Sequence, residues 1–255
     1  MKAMMCRRWG EPEDLRLEEV EPAPLKAGQA RIKIRAAGVS FATTLVIAGK
    51  YQRKPPLPFA PGTEASGVVI EVDPACKRLK VGDEVVAVLD WGGLAEETVA
   101  HEVNVFPKPR NVGFVEAIQL AISYPTSAGA LTWPTALDVQ KGHTLLVHAA
   151  AGGVGMAAVE IGKILGATVI ATAGGARKAA FAKAHGADHV IDYSAADFAR
   201  RSRSSPMAAV STGSTIRWAA RCSPNRCAAL ASRAASARSA LPAAPSRRSR
   251  PISCW

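Results

Sequence analysis

Short apolar runs of alternating character fill the first 110 or so residues. ARIKIRAAGVS (30–40) alternates around Ile32 and Ile34, and SGVVIEVDP (66–74), DEVVAVL (83–89) and GLAEETVA (93–100) follow the same habit. Gly, Pro and Asp turns separate them, so this part reads as β. Pro55, Pro56, Pro58 and Pro61 predict an extended loop over 54–62. Near residue 114 the period changes. FVEAIQLAIS (114–123) is helical in pattern, TLLVHA (144–149) is a short buried strand, and AAGGVG (150–155) is a glycine-rich turn. MAAVEIGKILGA (156–167) then predicts an amphipathic helix, TVIATA (168–173) a strand, ARKAAFAKAHGA (176–187) a helix and DHVIDY (188–193) a strand. Strand–helix–strand–helix–strand at this spacing is one half of a doubly wound parallel sheet.

After Asp197 the pattern stops. Ala, Ser and Arg make up 37 of the 57 residues in 199–255, and no periodicity survives. The charge follows the same break. Residues 1–198 hold 21 Lys and Arg against 21 Asp and Glu, whereas 199–255 hold 11 Arg, no Lys and no acid. The net charge of +11 is therefore a property of one segment. That segment lacks interleaved aromatics, so it is not read as a nucleic-acid surface. No run of about 18 apolar residues predicts a membrane span, and Arg7 and Arg8 stand where a signal peptide needs apolar residues. A cytoplasmic chain is expected. Of the five cysteines, Cys222 and Cys227 form C-x₄-C without a second pair, so plain thiols are expected rather than a metal site.

The glycine turn follows a strand and opens a helix. Free backbone N–H groups and the positive end of the helix dipole suit a pyrophosphate there. Gly152, Gly153 and Gly155 remove Cβ atoms where phosphates approach, and Ala150 and Val154 complete the turn. The bland alternative is a structural turn. Cofactor choice lies at the end of the second strand, where NAD readers place an acid. Here that strand ends in Ala173, Gly174 and Gly175, followed by Arg177 and Lys178, with no carboxylate in the segment. A 2′-phosphate fits that charge. The alternative is that Arg177 and Lys178 are solvated side chains in a first helical turn, a poor place for cations.

GVSFATTLVIAGKYQRKPPLPFAPGTEASGVV (38–69), VHAAAGGVG (147–155) and HGADHVIDY (185–193) resemble the quinone oxidoreductase (zeta-crystallin-like) branch of the medium-chain dehydrogenase/reductases. The resemblance runs from residue 1 to about 198. It implies an α/β protein with a GroES-like β-rich catalytic domain over 1–113. An incomplete Rossmann NADP-binding domain follows over 114–198, then a tail over 199–255. It further implies NADP(H) as cofactor, with Lys178 and Tyr193 on the 2′-phosphate, Tyr51 and Ser40 lining the substrate cleft, and Thr126 near the nicotinamide. Tyr193 reads equally as a packed core tyrosine. The implied substrate is a small quinone or activated enone. The implied chemistry is hydride transfer without an obligatory strong acid or base, and an intact chain would allow a homodimer.

Ser40 and Thr43 stand where the family often has Asn and Asp, and Pro125 and Ala128 where it often has Gly and His. These departures flank the cleft and bear on substrate preference. Zinc-containing members of the superfamily place a Cys near Ser40 and a His-Glu pair at 63–64. This chain has Ser40 and Thr63, with Glu64 alone remaining, which is no catalytic zinc set.

Two origins suit the tail: a native basic arm, or a change of reading frame in GC-rich DNA. Reading the codons of Arg200–Trp255 one nucleotide earlier, with free choice of synonyms, allows GVDGVYDPVGG and later GRIGAVGFASG, the family's fourth and fifth strands. Met207 and Trp218 have single codons ending in G, which force Gly at the two shifted positions that follow, and Gly fits both. An out-of-frame tail, disordered or weakly helical and adding no ordered strand beside DHVIDY (188–193), is therefore expected. The chain as written would then be either an impaired reductase or a non-catalytic, partly folded remnant with at most weak nucleotide binding.

Overall fold

The computed structural model describes residues 1–195 and the backbone of 215–216. The first part is a five-stranded antiparallel sheet. Its strands are β3 (Gln29–Ala37), β4 (Glu64–Val72), β5 (Glu84–Val88), β6 (Glu97–His101) and β7 (Val105–Pro107), in the order β6-β3-β4-β5-β7. A separate hairpin pairs β1 (Lys2–Met5) with β2 (Arg16–Glu19). The alternation read around Ile32 is visible directly: Ala30 and Ile32 are buried with Ala65, Val69, Val85, Ala87 and Val105 in one core. The sequence pattern missed β1, β2 and β7, which are three or four residues long and carry too few positions to show a period.

The expectation of an all-β first part is corrected at α1 (Phe41–Ile47). Its β-branched Thr43, Thr44, Val46 and Ile47 favour a strand locally. Tertiary packing overrides that preference, because Val46 and Ile47 bury against Cys6 and Phe59. Ser40 starts the helix: its N–H donates to Thr43 Oγ1 at 3.3 Å, and the two hydroxyls lie 3.3 Å apart. The proline-rich stretch 54–62 is an extended loop.

The helical stretch expected over 114–123 is broken into α2 (Phe114–Ala117) and a 3₁₀ turn (Ile118–Leu120), and is followed by α3 (Ser123–Thr132). Ala117 and Ala121 pack on Val86 of β5, and Ser66 Oγ donates to Phe114 O at 2.6 Å, so this segment is fixed to the first sheet. Lys108 is buried, paired with Glu84 at 3.0 Å, and its ammonium donates to Val112 O at 2.6 Å.

The second part is a parallel sheet. β8 (Thr144–Val147), α4 (Gly153–Ile164), β9 (Thr168–Ala173), α5 (Ala176–Ala184) and β10 (His189–Asp192) follow in the expected order. The helix predicted from 156 begins three residues earlier, inside the glycine turn. Gly155, Ala157, Ala158, Val159 and Gly162 form its buried face, small enough for the helix to lie close on the sheet. A Cβ on Gly162 would stand 2.7 Å from Leu145 Cδ2. Lys163 of α4 binds both oxygens of Asp188 at 2.7 and 2.8 Å, and Val169 N–H of β9 donates to Asp188 at 2.7 Å, fastening α4, β9 and the start of β10.

The strand order is β10-β9-β8-β11, where β11 is Thr215–Ile216, parallel to β8. This strand lies on the edge of the sheet away from DHVIDY (188–193), next to which no tail strand is expected. The free edge of β8 presents unpaired N–H and C=O groups, and an extended β-branched pair satisfies them. The rest of the tail, with Cys222, Cys227 and Cys254 and the disorder expected there, lies outside the described residues. No helix among the described residues is long and apolar enough to cross a membrane.

Candidate dinucleotide site

The chain leaves β8 at the centre of the parallel sheet, builds β9 and β10 to one side, and places β11 on the other. The order reverses at β8. Open α/β sheets bind ligands outside the carboxyl ends of the strands at such a reversal. The glycine turn occupies that place. Ala149 has φ of +51°, a conformation costly for a residue with a Cβ, and its carbonyl accepts Gly152 N–H at 2.9 Å. Gly152 caps α4, whose first N–H groups belong to Gly153, Val154 and Gly155. Ala150 is buried beneath the turn.

The three glycines have different reasons to be there. A Cβ at Gly155 would stand 2.5 Å from Ala149 O and 2.9 Å from Ala150 Cα, so that glycine serves the close approach of helix to turn. A Cβ at Gly153 would stand 3.0 Å from Ser123 Oγ and 3.3 Å from Gln119 Oε1. At Gly152 the nearest atom would be Ala149 O at 3.4 Å, which leaves room for a ligand. Gln119 Oε1 is itself buried and has no hydrogen-bond partner among the described residues. Sequence reading overlooked Gln119 because it carries no motif. An open cradle at a helix N-terminus, with an orphaned polar atom beside it, fits a dinucleotide.

The end of the second strand lies next to this turn. A cavity of about 890 Å³ is lined by Ala151, Gly174, Gly175, Arg177 and Lys178, and continues along α5 past Ala180 and Phe181. Arg177 and Lys178 are exposed, and neither has an ion-pair partner among the described residues. Tyr193 is 42% exposed, which removes the core-tyrosine alternative. Its ring lies over Gly174, where a Cβ would stand 2.9 Å from the phenol oxygen. Gly174 is the common point: it lines the cavity with Arg177 and Lys178 and lies under the Tyr193 ring.

The profile of the alcohol dehydrogenase GroES-like domain matches residues 26–110, and that of the zinc-binding dehydrogenases matches 153–211. Quinone oxidoreductase-like protein 2 of Rattus norvegicus is 36% identical over 194 residues, which are 76% of this chain and 54% of that protein. A probable oxidoreductase from Mycobacterium abscessus superposes with a TM-score of 0.76 at 33% identity, covering 84% of this chain and 67% of that one. Escherichia coli quinone oxidoreductase, solved with NADPH, has a TM-score of 0.76 at 30% identity, covering 84% and 64%. The chain belongs to the medium-chain dehydrogenase/reductases, in their quinone oxidoreductase-like branch. It spans about half the length of the curated relatives it matches.

For a medium-chain dehydrogenase/reductase, the other expected residues sit less closely together. Ser40 caps α1, and Tyr51 packs partly buried on Cys6, Val46, Ile47 and Phe59. Thr126 is half-buried on α3, one residue before Ser127, whose hydroxyl donates to Val154 O at 2.7 Å and so holds α3 against the glycine turn. No hydrogen bond among the described residues joins Ser40, Tyr51 and Thr126. Glu64 is buried against Gly38, where a Cβ would stand 2.3 Å from its carboxylate, and desolvation raises its pKa. Among the described residues no group of three or more His, Cys, Asp or Glu side chains is placed to hold a metal.

One reading of the sequence is corrected here. The second strand ends without an acid of its own, but Asp192 of β10 reaches it: Oδ1 accepts Gly175 N–H at 2.9 Å. The acid is seventeen residues further on, so only the sheet brings it there.

Proposed function

We propose that the chain derives from an NADPH-dependent, zinc-free reductase of quinones or activated enones, and that residues 199–255 are read out of frame. The observation that carries the cofactor reading is a cavity lined by Gly174, Arg177 and Lys178, with the Tyr193 ring on Gly174, beside a glycine turn at the reversal of strand order. Two relatives of known structure are described as complexes with NADPH. The zinc-free reading follows from the donor set, with Ser40 and Thr63 standing where a thiolate and an imidazole would be needed.

In this reading Gly153, Val154 and Gly155 present backbone N–H groups to the pyrophosphate, and Gly152, whose own N–H is held by Ala149 O, leaves the space for it. Arg177 and Lys178 hold the 2′-phosphate by charge, and the Tyr193 hydroxyl adds a donor. NADPH, when bound there, would supply the hydride that, together with one proton, reduces a quinone to a hydroquinone. Tyr51 and Ser40 shape the substrate side, and Thr126 lies on the helix that Ser127 fixes to the turn. The protein's contribution is orientation and exclusion of water.

The test compares the 255-residue chain with a frame-restored version, following NADPH consumption with a simple quinone. The restored protein is expected to turn over and the chain as written to be greatly slower. Equal turnover would show that the tail is a working part. No turnover by either would remove the reductase reading and leave a nucleotide-binding remnant.

A further inference from the structure

The turn between β9 and α5 consists of Gly174 and Gly175, two residues without side chains to hold it. Gly175 has φ of +92°, a conformation open to glycine at little steric cost but also one of many that glycine visits. Something outside the turn must select it. Asp192, the last residue of β10, does so with a single oxygen. Oδ1 accepts Gly175 N–H at 2.9 Å, Ser194 N–H at 2.9 Å and the Ser194 hydroxyl at 2.7 Å. Tyr193, between these two residues, donates its own N–H to Ala173 O at 3.0 Å and lays its ring over Gly174. One short segment of chain therefore fixes the turn from beneath and covers it from above.

We propose that Asp192 is the positioning residue of the adenosine-phosphate subsite, setting the turn so that α5 begins where Arg177 and Lys178 face the cavity. This rests on the NADPH reading of that cavity. The carboxylate would otherwise oppose a 2′-phosphate. Its charge is spread over three donors on one oxygen, and those bonds, the Ser194 hydroxyl first and Gly175 N–H next, hold its pKa below the usual carboxylate range. It is thus a permanent acceptor rather than a switch. The rival role is that of the acid by which NAD-binding proteins read the ribose hydroxyl, here supplied from the third strand. The turn role is favoured because Asp192 Oδ1 already carries three donors from the protein.

The two roles separate in Asp192→Ala and Asp192→Asn, made in the full 255-residue chain. Two quantities are read: Kd for NADPH and NADH by nucleotide fluorescence, and hydrogen exchange of the segment 174–177 in nucleotide-free protein. Asp192→Ala is expected to raise the NADPH Kd by about tenfold or more and to speed exchange of the segment. Asp192→Asn keeps an oxygen acceptor and is expected to stay within about threefold of wild type for NADPH. Unchanged NADPH binding and unchanged exchange in Asp192→Ala would overturn the proposal. So would an Asp192→Asn variant that loses NADH while gaining NADPH, since that marks a residue reading the hydroxyl. If the unmutated chain binds neither nucleotide, the cofactor reading fails, and the exchange comparison still decides whether Asp192 holds the turn.

Discussion

Gly155→Ala and Gly152→Ala separate the structural and the binding roles of the glycine turn. A methyl at 155 would stand 2.5 Å from Ala149 O, 2.9 Å from Ala150 Cα and 3.1 Å from Ala149 C, all of them backbone. No rotamer change relieves such contacts, so α4 must shift off β8. Overpacking of this kind costs about 1–3 kcal/mol, and a rigid backbone neighbour belongs at the upper end. Alanine regains about 1 kcal/mol of helix propensity at this position. The net loss is about 2 kcal/mol, or about 4–8 °C in Tm for a chain of this size. At Gly152 the nearest contact is 3.4 Å and φ is −84°, which alanine adopts freely. Only the N-cap preference changes, so stability should fall by less than about 1 kcal/mol. The methyl at 152 occupies the space left for the phosphates, and NADPH affinity should fall by about tenfold or more. Thermal unfolding followed by circular dichroism, paired with nucleotide titration, reads both effects. A Gly155→Ala protein as stable as wild type, or a Gly152→Ala protein that binds NADPH normally, would refute the division of roles.

Lys178→Ala should weaken NADPH by on the order of 1–3 kcal/mol and leave NADH little changed, measured by the two dissociation constants. Glu64→Gln should stabilise the protein at neutral pH. Burial raises the folded-state pKa of Glu64, so the folded state holds its proton more tightly than the unfolded one. The resulting penalty is absent below the unfolded pKa of about 4 and grows as pH rises through the folded pKa. The advantage of the Gln variant in Tm should therefore vanish in acid, and an advantage that persists there would point to another cause. Elemental analysis of purified protein should find no stoichiometric zinc, and chelators should not alter nucleotide binding.

The β–α–β–α–β order from 144 to 193 was legible because each element carries its own period and the glycine turn punctuates it. β9 matches the reading residue for residue. The α1 helix was not legible, since its Thr, Val and Ile residues argue locally for a strand and only burial against Phe59 decides otherwise. The cations at 177 and 178 and the glycines at 152–155 could be found from spacing, as chemistry clustered in sequence. Asp192 and Gln119 could not: one reaches the site through the register of β10 on β9, the other through the docking of its segment beside Gly153. The β11 strand was missed because its partner is the free edge of β8, a property of the sheet rather than of Thr215 and Ile216.

Recognition of NADPH by its 2′-phosphate rests on exposed Arg177 and Lys178 beside Gly174. Its most direct test is a side-by-side equilibrium titration of the purified 255-residue chain with NADPH and NADH at low and high salt. NADPH is expected to bind more tightly, with the difference shrinking as salt screens exposed Arg177 and Lys178. Equal affinities, or tighter NADH binding at low salt, would contradict it.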